Sequence, residues 1–371
     1  MHSPARKWDS RFKGLRVLLP LVMLALLLVT CEKVLLVEDL GEPGLDVISP
    51  GWLIPVGEVF DGGPGKDGIP AIDKPQLVAG SEVNFLGDRD LVIGVVIGGV
   101  ARAYPHIILD WHEIINDQVG GESYSVTYCP LTGSGIGWDR QLSAKATTFG
   151  VSGKLYNSNL IPYDRETDSY WSQMKLQCVF GPNKGRLPGL VPIVETTWET
   201  WRAMYPNSSV VSLNTGFSRP YGRYPYGSFR TAEYLIFPVN PLDDRLPMKE
   251  RVGGLIVEGQ ARAYQLSIFG AGVGVINDTF SDLPVVVAAS EPDNFMVIFE
   301  RTVGGSVQLN FNALQGQLPA VMQDDEGTIW DLFGRGLAGP RAGEQLAVTA
   351  SFIAYWFAWG AFYPDLEIYS P

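Results

Sequence analysis

The chain has 371 residues, 46% hydrophobic and 18% charged, which is enough apolar material to bury a sizeable core and too much for a disordered chain. Its net charge of −12 becomes −16 beyond the first thirty residues (23 basic against 39 acidic), which argues against nucleic acid as a partner, because phosphate recognition needs clustered Lys and Arg. With 42 Gly, 26 Pro, 10 Trp and 15 Tyr, the composition favours short strands, many turns and aromatic packing over long helices, so the expected class is mainly β with a few helices (α+β).

Residues 1–16 are basic and Val17 to Thr30 is an unbroken apolar run ending at Cys31, the pattern of a secretory signal peptide. Leu28-Val29-Thr30-Cys31 resembles a bacterial lipobox, with Thr30 in place of the usual small residue. The expectation is an exported lipoprotein of the cell envelope, tethered to the membrane at Cys31, with an uncleaved signal anchor as the alternative. Residues 32–90 read as an extended segment packing on the first folded unit. Their Gly-rich run Asp61 to Pro70 contains Lys66, but it lacks Walker spacing and no helical pattern follows.

From Leu91 an alternating apolar pattern leads into Ala103-Tyr104-Pro105-His106, then Trp111-His112-Glu113, and a strand from Glu122 to Tyr128 ends at Cys129-Pro130-Leu131-Thr132. Thr197 to Tyr205 carries Trp198, Trp201 and Tyr205 at helical spacing before Pro206 and reads as an amphipathic helix. Residues 214–248 are turn-rich and without period, a connector.

The pattern then starts again. Ala261-Arg262-Ala263-Tyr264 repeats Ala101-Arg102-Ala103-Tyr104, Ile276-Asn277-Asp278 repeats Ile115-Asn116-Asp117, Trp330 matches Trp171, and Tyr363-Pro364 matches Tyr205-Pro206. An offset held near ~160 residues in the same order is the mark of a duplicated unit. The expected architecture is two tandem β-rich units, 91–213 and 249–371. Phe352 to Phe362, at the place of the first helix, reads as a core-packed helix.

Comparing the halves separates folding residues from candidates for chemistry. His106, His112, Glu113 and Cys129 face Leu266, Val273, Gly274 and Ser290, so the second half lacks these reactive groups. Imidazole and thiolate together suit copper or zinc, which makes His106, His112 and Cys129 a candidate soft-metal site. A second reading makes Cys129 a nucleophile with His112 as base and Glu113 or Asp117 as orienter, in a cysteine-dependent enzyme. A third is a non-catalytic scaffold that binds a protein partner or glycan on an aromatic face of Tyr156, Tyr163, Tyr170 and Trp171, and the bland alternative is a buried free thiol beside an ordinary histidine. At most one disulfide is open to the folded part, Cys129 to Cys178.

The ordered motifs Gly62-Gly63-Pro64, Arg102-Ala103-Tyr104-Pro105, Trp111 to Asp117, Val126 to Ser134, Phe149 to Gly153, Asn157 to Leu160, Tyr163-Asp164-Arg165 and Trp171-Ser172-Gln173 resemble the family known as domain of unknown function 3179. The resemblance implies a bacterial or archaeal exported or membrane-attached protein and no established activity. Many members resemble a Cys-Pro-Leu-Cys pattern where this chain has Cys129-Pro130-Leu131-Thr132, a departure that argues against a dithiol redox role here and leaves the single-thiolate ligand reading of Cys129 open.

Overall fold

In the computed structural model, which describes residues 51–371, short β-strands dominate and three α-helices of seven residues each punctuate them. The signal and lipobox residues, Cys31 included, lie outside the described residues. The strands form six sheets of three to five strands, arranged as a six-bladed β-propeller, with a two-stranded ribbon (Thr302–Val303 and Val307–Gln308) beside them.

Blade 1 carries Val59–Asp61, Phe149–Tyr156, Asn159–Asp164, Tyr170–Ser172 and Gln177–Phe180. Blade 2 carries Leu190–Val191, Ser134–Asp139, Glu122–Cys129, Ile114–Val119 and Ile72–Asp73. In blade 3, Leu91–Ile97 and Val100–Pro105 pair antiparallel, flanked by Val194–Thr197 on one side and by Ser209–Val211 and Leu77–Ala79 on the other. Blade 4 is Phe311–Ala313, Ala320–Asp324, Ile329–Asp331 and Gly336–Ala338; blade 5 is Gly274–Phe280, Leu283–Ser290 and Phe295–Glu300. Blade 6 is Ala350–Tyr355, Arg251–Val257, Gln260–Gln265 and Glu367–Ile368.

Shared cores close the ring. Trp138 of blade 2 packs edge-on against Phe149 of blade 1, and Tyr104 of blade 3 joins Tyr124 and Val126 of blade 2. Val92 and Ala103 of blade 3 share a core with Trp330 of blade 4, Leu255 of blade 6 shares one with Val285 of blade 5, and Phe362, just beyond blade 6, meets Tyr156 of blade 1 at 5.3 Å.

This ring corrects the expectation of two tandem units. One core joins Ile54 and Trp171 to Phe352 and Trp359, and another joins Val92 and Trp201 to Phe295 and Trp330, so neither half owns a complete core. The physical reason is that three sheets standing alone expose an apolar face at each end, and facing them onto the other half buries both. The paired residues seen in the sequence make like bonds in both halves. Tyr104 and Tyr264 donate at 2.7 Å to Asp117 and Asp278, and the Trp171 and Trp330 indoles donate at 2.9 Å to Asp164 and Asp324. Asn116 and Asn277 each bridge to the next blade, donating to and accepting from the backbone of Phe149 and Phe311.

The helices follow local chemistry. The side chain of Thr197 caps Trp198–Met204 by accepting from the Thr200 amide at 3.2 Å, and Trp201 lies where Gly94 leaves no room for a Cβ. The second apolar segment differs from its expected helix: Phe352 to Tyr355 belongs to a strand, and the helix is Trp356–Phe362, with Trp359 against Gly254. No helix among the described residues is long and apolar enough to cross a membrane.

Candidate functional site

The site is built around helix α1, His106–His112, which follows the blade 3 strand Val100–Pro105 and leads into blade 2. The chain leaves the helix through Glu113 at φ +58°, a left-handed conformation that costs a non-glycine residue of order 1–3 kcal/mol and is held only where surroundings fix it. Here they do: the Glu113 amide donates to Leu109 O and its carbonyl accepts from the Tyr128 amide, each at 2.7 Å.

That turn drives the Glu113 carboxyl inward. It is 5% exposed, and burial pushes its pKa up to about 8 although the Tyr226 hydroxyl donates to it. It lines a cavity of about 410 Å3 whose wall is mostly apolar, with Pro64, Ile69, Leu131, Val151 and Phe237 among its side chains and Trp111 at its side. Asp110 lines the same cavity, and burial raises its pKa to about 7 against the pull of Arg230 at 2.5 Å. A mostly apolar cavity with a few converging polar groups of displaced pKa is the usual form of a small-molecule site.

The histidines and the cysteine lie close by in sequence but do different things. His112 is fully buried; its Nδ1 is 2.7 Å from the Pro70 carbonyl and its Nε2 is 2.7 Å from the Tyr221 hydroxyl. A carbonyl can only accept, so Nδ1 carries the proton, Nε2 accepts from Tyr221, and both ring nitrogens are spoken for. Burial lowers the His112 pKa and keeps the ring neutral. Cys129 is 1% exposed, its Sγ donates toward Ser158 O at 3.6 Å, and burial with the nearby Glu113 pushes the thiol up to about 11. Cys129 and Cys178 are both free, so the one possible bridge is not formed.

Of the two histidines among the described residues, His106 has the unused nitrogen. Its Nε2 has no hydrogen-bond partner and faces Glu195 Oε2, also without one, at 3.6 Å, while its ring tilts over Tyr128 at 4.3 Å. Burial and the nearby Arg230 and Arg251 hold its pKa well below the ordinary value.

No group of three or more His, Cys, Asp and Glu side chains placed to hold a metal ion occurs among the described residues. His106, His112 and Cys129 thus do not gather into a soft-metal site: the last two spend their donor atoms on carbonyls and a hydroxyl, and the thiol stays protonated. The same geometry leaves Cys129 a poor nucleophile, because the thiolate is the reactive form and burial beside Glu113 outweighs the hydrogen bonds from Thr132 and Leu160 that favour it. The aromatic face is likewise absent. Trp171 is fully buried, Tyr156 and Tyr163 are buried in blade 1, and Tyr170 packs against Trp52 and Phe180.

Glu113 stands out in the sequence, but what surrounds it does not. Tyr221, Tyr224, Tyr226 and Arg230 all come from the turn-rich connector, whose segment carries no strand and lies over the helix α1 corner. The signal available was four aromatics and two arginines within ten residues of a segment with no period of its own. Glu195 and Arg251, an ion pair joining blade 3 to blade 6, carried no signal, since each sits singly in an ordinary strand pattern.

Fold and site together define a β-propeller with a ligand-sized apolar cavity at a strained, carboxyl-bearing corner. The chain belongs to the family described as "Protein of unknown function (DUF3179)", whose model covers residues 66–366. No curated protein and no solved structure matches it.

Proposed function

We propose that this chain is a small-molecule-binding protein whose ligand is largely apolar and presents a hydrogen-bond acceptor, such as a carbonyl, to Glu113. One observation carries the reading: a carboxyl pushed up to about 8 at the wall of an apolar cavity, and so a proton donor at neutral pH. A donor so placed selects a hydrogen-bond acceptor on the ligand, and Lys154 and Arg219, which line the same cavity, favour an acceptor with partial negative charge such as a carbonyl oxygen. Proton transfer to or from a bound ligand near pH 8 is within the reach of such a group, and Cys129 is not needed for it.

The basic stretch before an apolar run ending at Cys31 supports an extracytoplasmic, lipid-tethered placement for this binding body. Incorporation of labelled palmitate, lost in Cys31→Ser, tests that part separately.

The binding test uses the fluorescent aromatic ketone Prodan, whose emission shifts to the blue in apolar surroundings. Saturable blue-shifted binding is expected for the wild type, retained in Glu113→Gln, which keeps a donor, and roughly tenfold weaker in Glu113→Leu. Binding should also weaken as the pH rises through 8. Absence of saturable binding, or equal affinity in Glu113→Leu, overturns the reading.

A further inference from the structure

Beyond the Asp110–Arg230 ion pair lies a second cavity, of about 530 Å3, which has the opposite character. Its inner wall carries Arg230, Arg251 and Asn294. Arg251 is paired with Glu195 Oε1, which also accepts from Asn294 Nδ2 at 3.0 Å, and Arg230 is fixed by Asp110 while lying over the Tyr224 ring at 4.0 Å. Glu195 and Asp110 are 7% and 4% exposed, so two buried carboxylates clamp two guanidinium groups at the edge of one cavity.

The clamp leaves hydrogen-bonding capacity over. Arg251 Nε is buried without a partner, as are Glu195 Oε2 and His106 Nε2 behind it. Such a buried ionic cluster is expensive and contributes little to stability that apolar packing would not, so its presence points to use. Lys249 also lines the cavity, but its ammonium already donates to the carbonyls of Phe229, Ala232 and Tyr234.

The charge on the cavity wall selects the ligand. Against Arg230, Lys249 and Arg251 stand Glu233, Glu250 and Glu291, of which Glu233 and Glu291 are exposed and so lie on the outer side. A free phosphate would be repelled by that rim, and a simple amine by the guanidinium floor. A zwitterion satisfies both, with its carboxylate inward on the planar forks of the arginines. Pro247, Met248 and Leu266 supply the apolar remainder of the wall.

We propose that this cavity binds a free amino acid with an apolar side chain, its carboxylate on Arg230 and Arg251 and its ammonium toward the glutamate rim. The site does not depend on the reading of the Glu113 cavity, and its probe differs.

Isothermal titration of the full chain with L-phenylalanine, L-phenylalaninamide, 3-phenylpropanoate and inorganic phosphate separates the two ends of the ligand. L-phenylalanine is expected to bind saturably, and the amide, which lacks the carboxylate, and the acid, which lacks the ammonium, each roughly tenfold or more weakly. Arg251→Gln should abolish binding. Because that change opens a buried pair, Glu250→Gln, at a half-buried carboxylate outside that pair, provides the second readout: weaker L-phenylalanine with 3-phenylpropanoate unchanged. No saturable heat with L-phenylalanine, equal affinity for the three organic ligands, tighter binding of phosphate, or equal effects of Glu250→Gln on both acids would each overturn the proposal.

Discussion

Asp110 and Arg230 meet at 2.5 Å on the wall between an apolar cavity and a polar one, the first residue lining the former and the second the latter. One comes from helix α1 and the other from the strandless connector 120 residues later in the chain. The connector is therefore a working part of the site: without Arg230, burial would push the Asp110 carboxyl up further and leave it protonated and without its partner.

Glu113 should tilt the pH dependence of stability. Its folded pKa of about 8 lies above the usual 4.5, so the folded state binds the extra proton between those values. The stability it contributes is fully present below pH 4.5 and is lost as the pH rises toward 8. Urea denaturation across that window should show the wild type losing stability relative to Glu113→Gln, by an amount of order a few kcal/mol at most, since a full unit corresponds to about 1.4 kcal/mol. Parallel profiles would mean that Glu113 is not held protonated.

The two asparagine bridges should be unequal. Asn116 is 2% exposed and also takes a bond from Ser125 Oγ at 2.6 Å, whereas Asn277 is exposed. Asn116→Ala should cost about 2–3 kcal/mol and Asn277→Ala about 1 kcal/mol, because only the former strands buried backbone groups without water to replace the amide. Equilibrium unfolding of the two variants checks the order, and the reverse order would contradict it.

Cys129 should be silent in the native protein. With its thiol raised to about 11 and 1% exposure, iodoacetamide at neutral pH should label it only through unfolding, at a rate that climbs with added urea. Fast labelling of Cys129 in the absence of denaturant would restore the nucleophile reading.

His112 should behave as a structural residue. Nitrogen-detected NMR should find it neutral with the proton on Nδ1, and Tyr221→Phe, which leaves Nε2 unpaired, should cost about 1–3 kcal/mol. Since its pKa is lowered by burial, its protonation opposes the fold, and stability is lost as the pH falls below 6.5 toward that lowered value. Elemental analysis after incubation with copper or zinc should give the same negligible content for the wild type, His112→Ala and Cys129→Ala; metal bound only by the wild type would revive the soft-metal site.

Local patterns in the sequence read through well where one residue type has one use. Trp198, Trp201 and Tyr205 at helical spacing before Pro206 announced a helix over Thr197 to Tyr205, and the helix is Trp198–Met204. The run from Leu91 announced a strand, and Leu91–Ile97 is one. The apolar segment Phe352 to Phe362 misled, because a stretch buried on every side has no polar residue to mark its period, and its first four residues extend the strand instead. Glu113 was visible as a charged residue that the second half lacks; Asp110, single among apolar neighbours, carried no signal, and its place in helix α1 is known only from the fold.

What the sequence determined alone was the mainly β class, the family, and the set of residues, Tyr104 with Asp117 and Tyr264 with Asp278 among them, that hold strands together within a few tens of residues. Tertiary structure decided that the halves close into one ring and that the connector lies over the α1 corner. It also decided that Glu195 meets Arg251 across 56 positions while His112 spends both its nitrogens on Pro70 and Tyr221. The division follows from range: neighbouring residues are constrained by backbone geometry that a pattern records, whereas partners far apart in the chain are chosen by which surfaces remain to be buried once the sheets have formed.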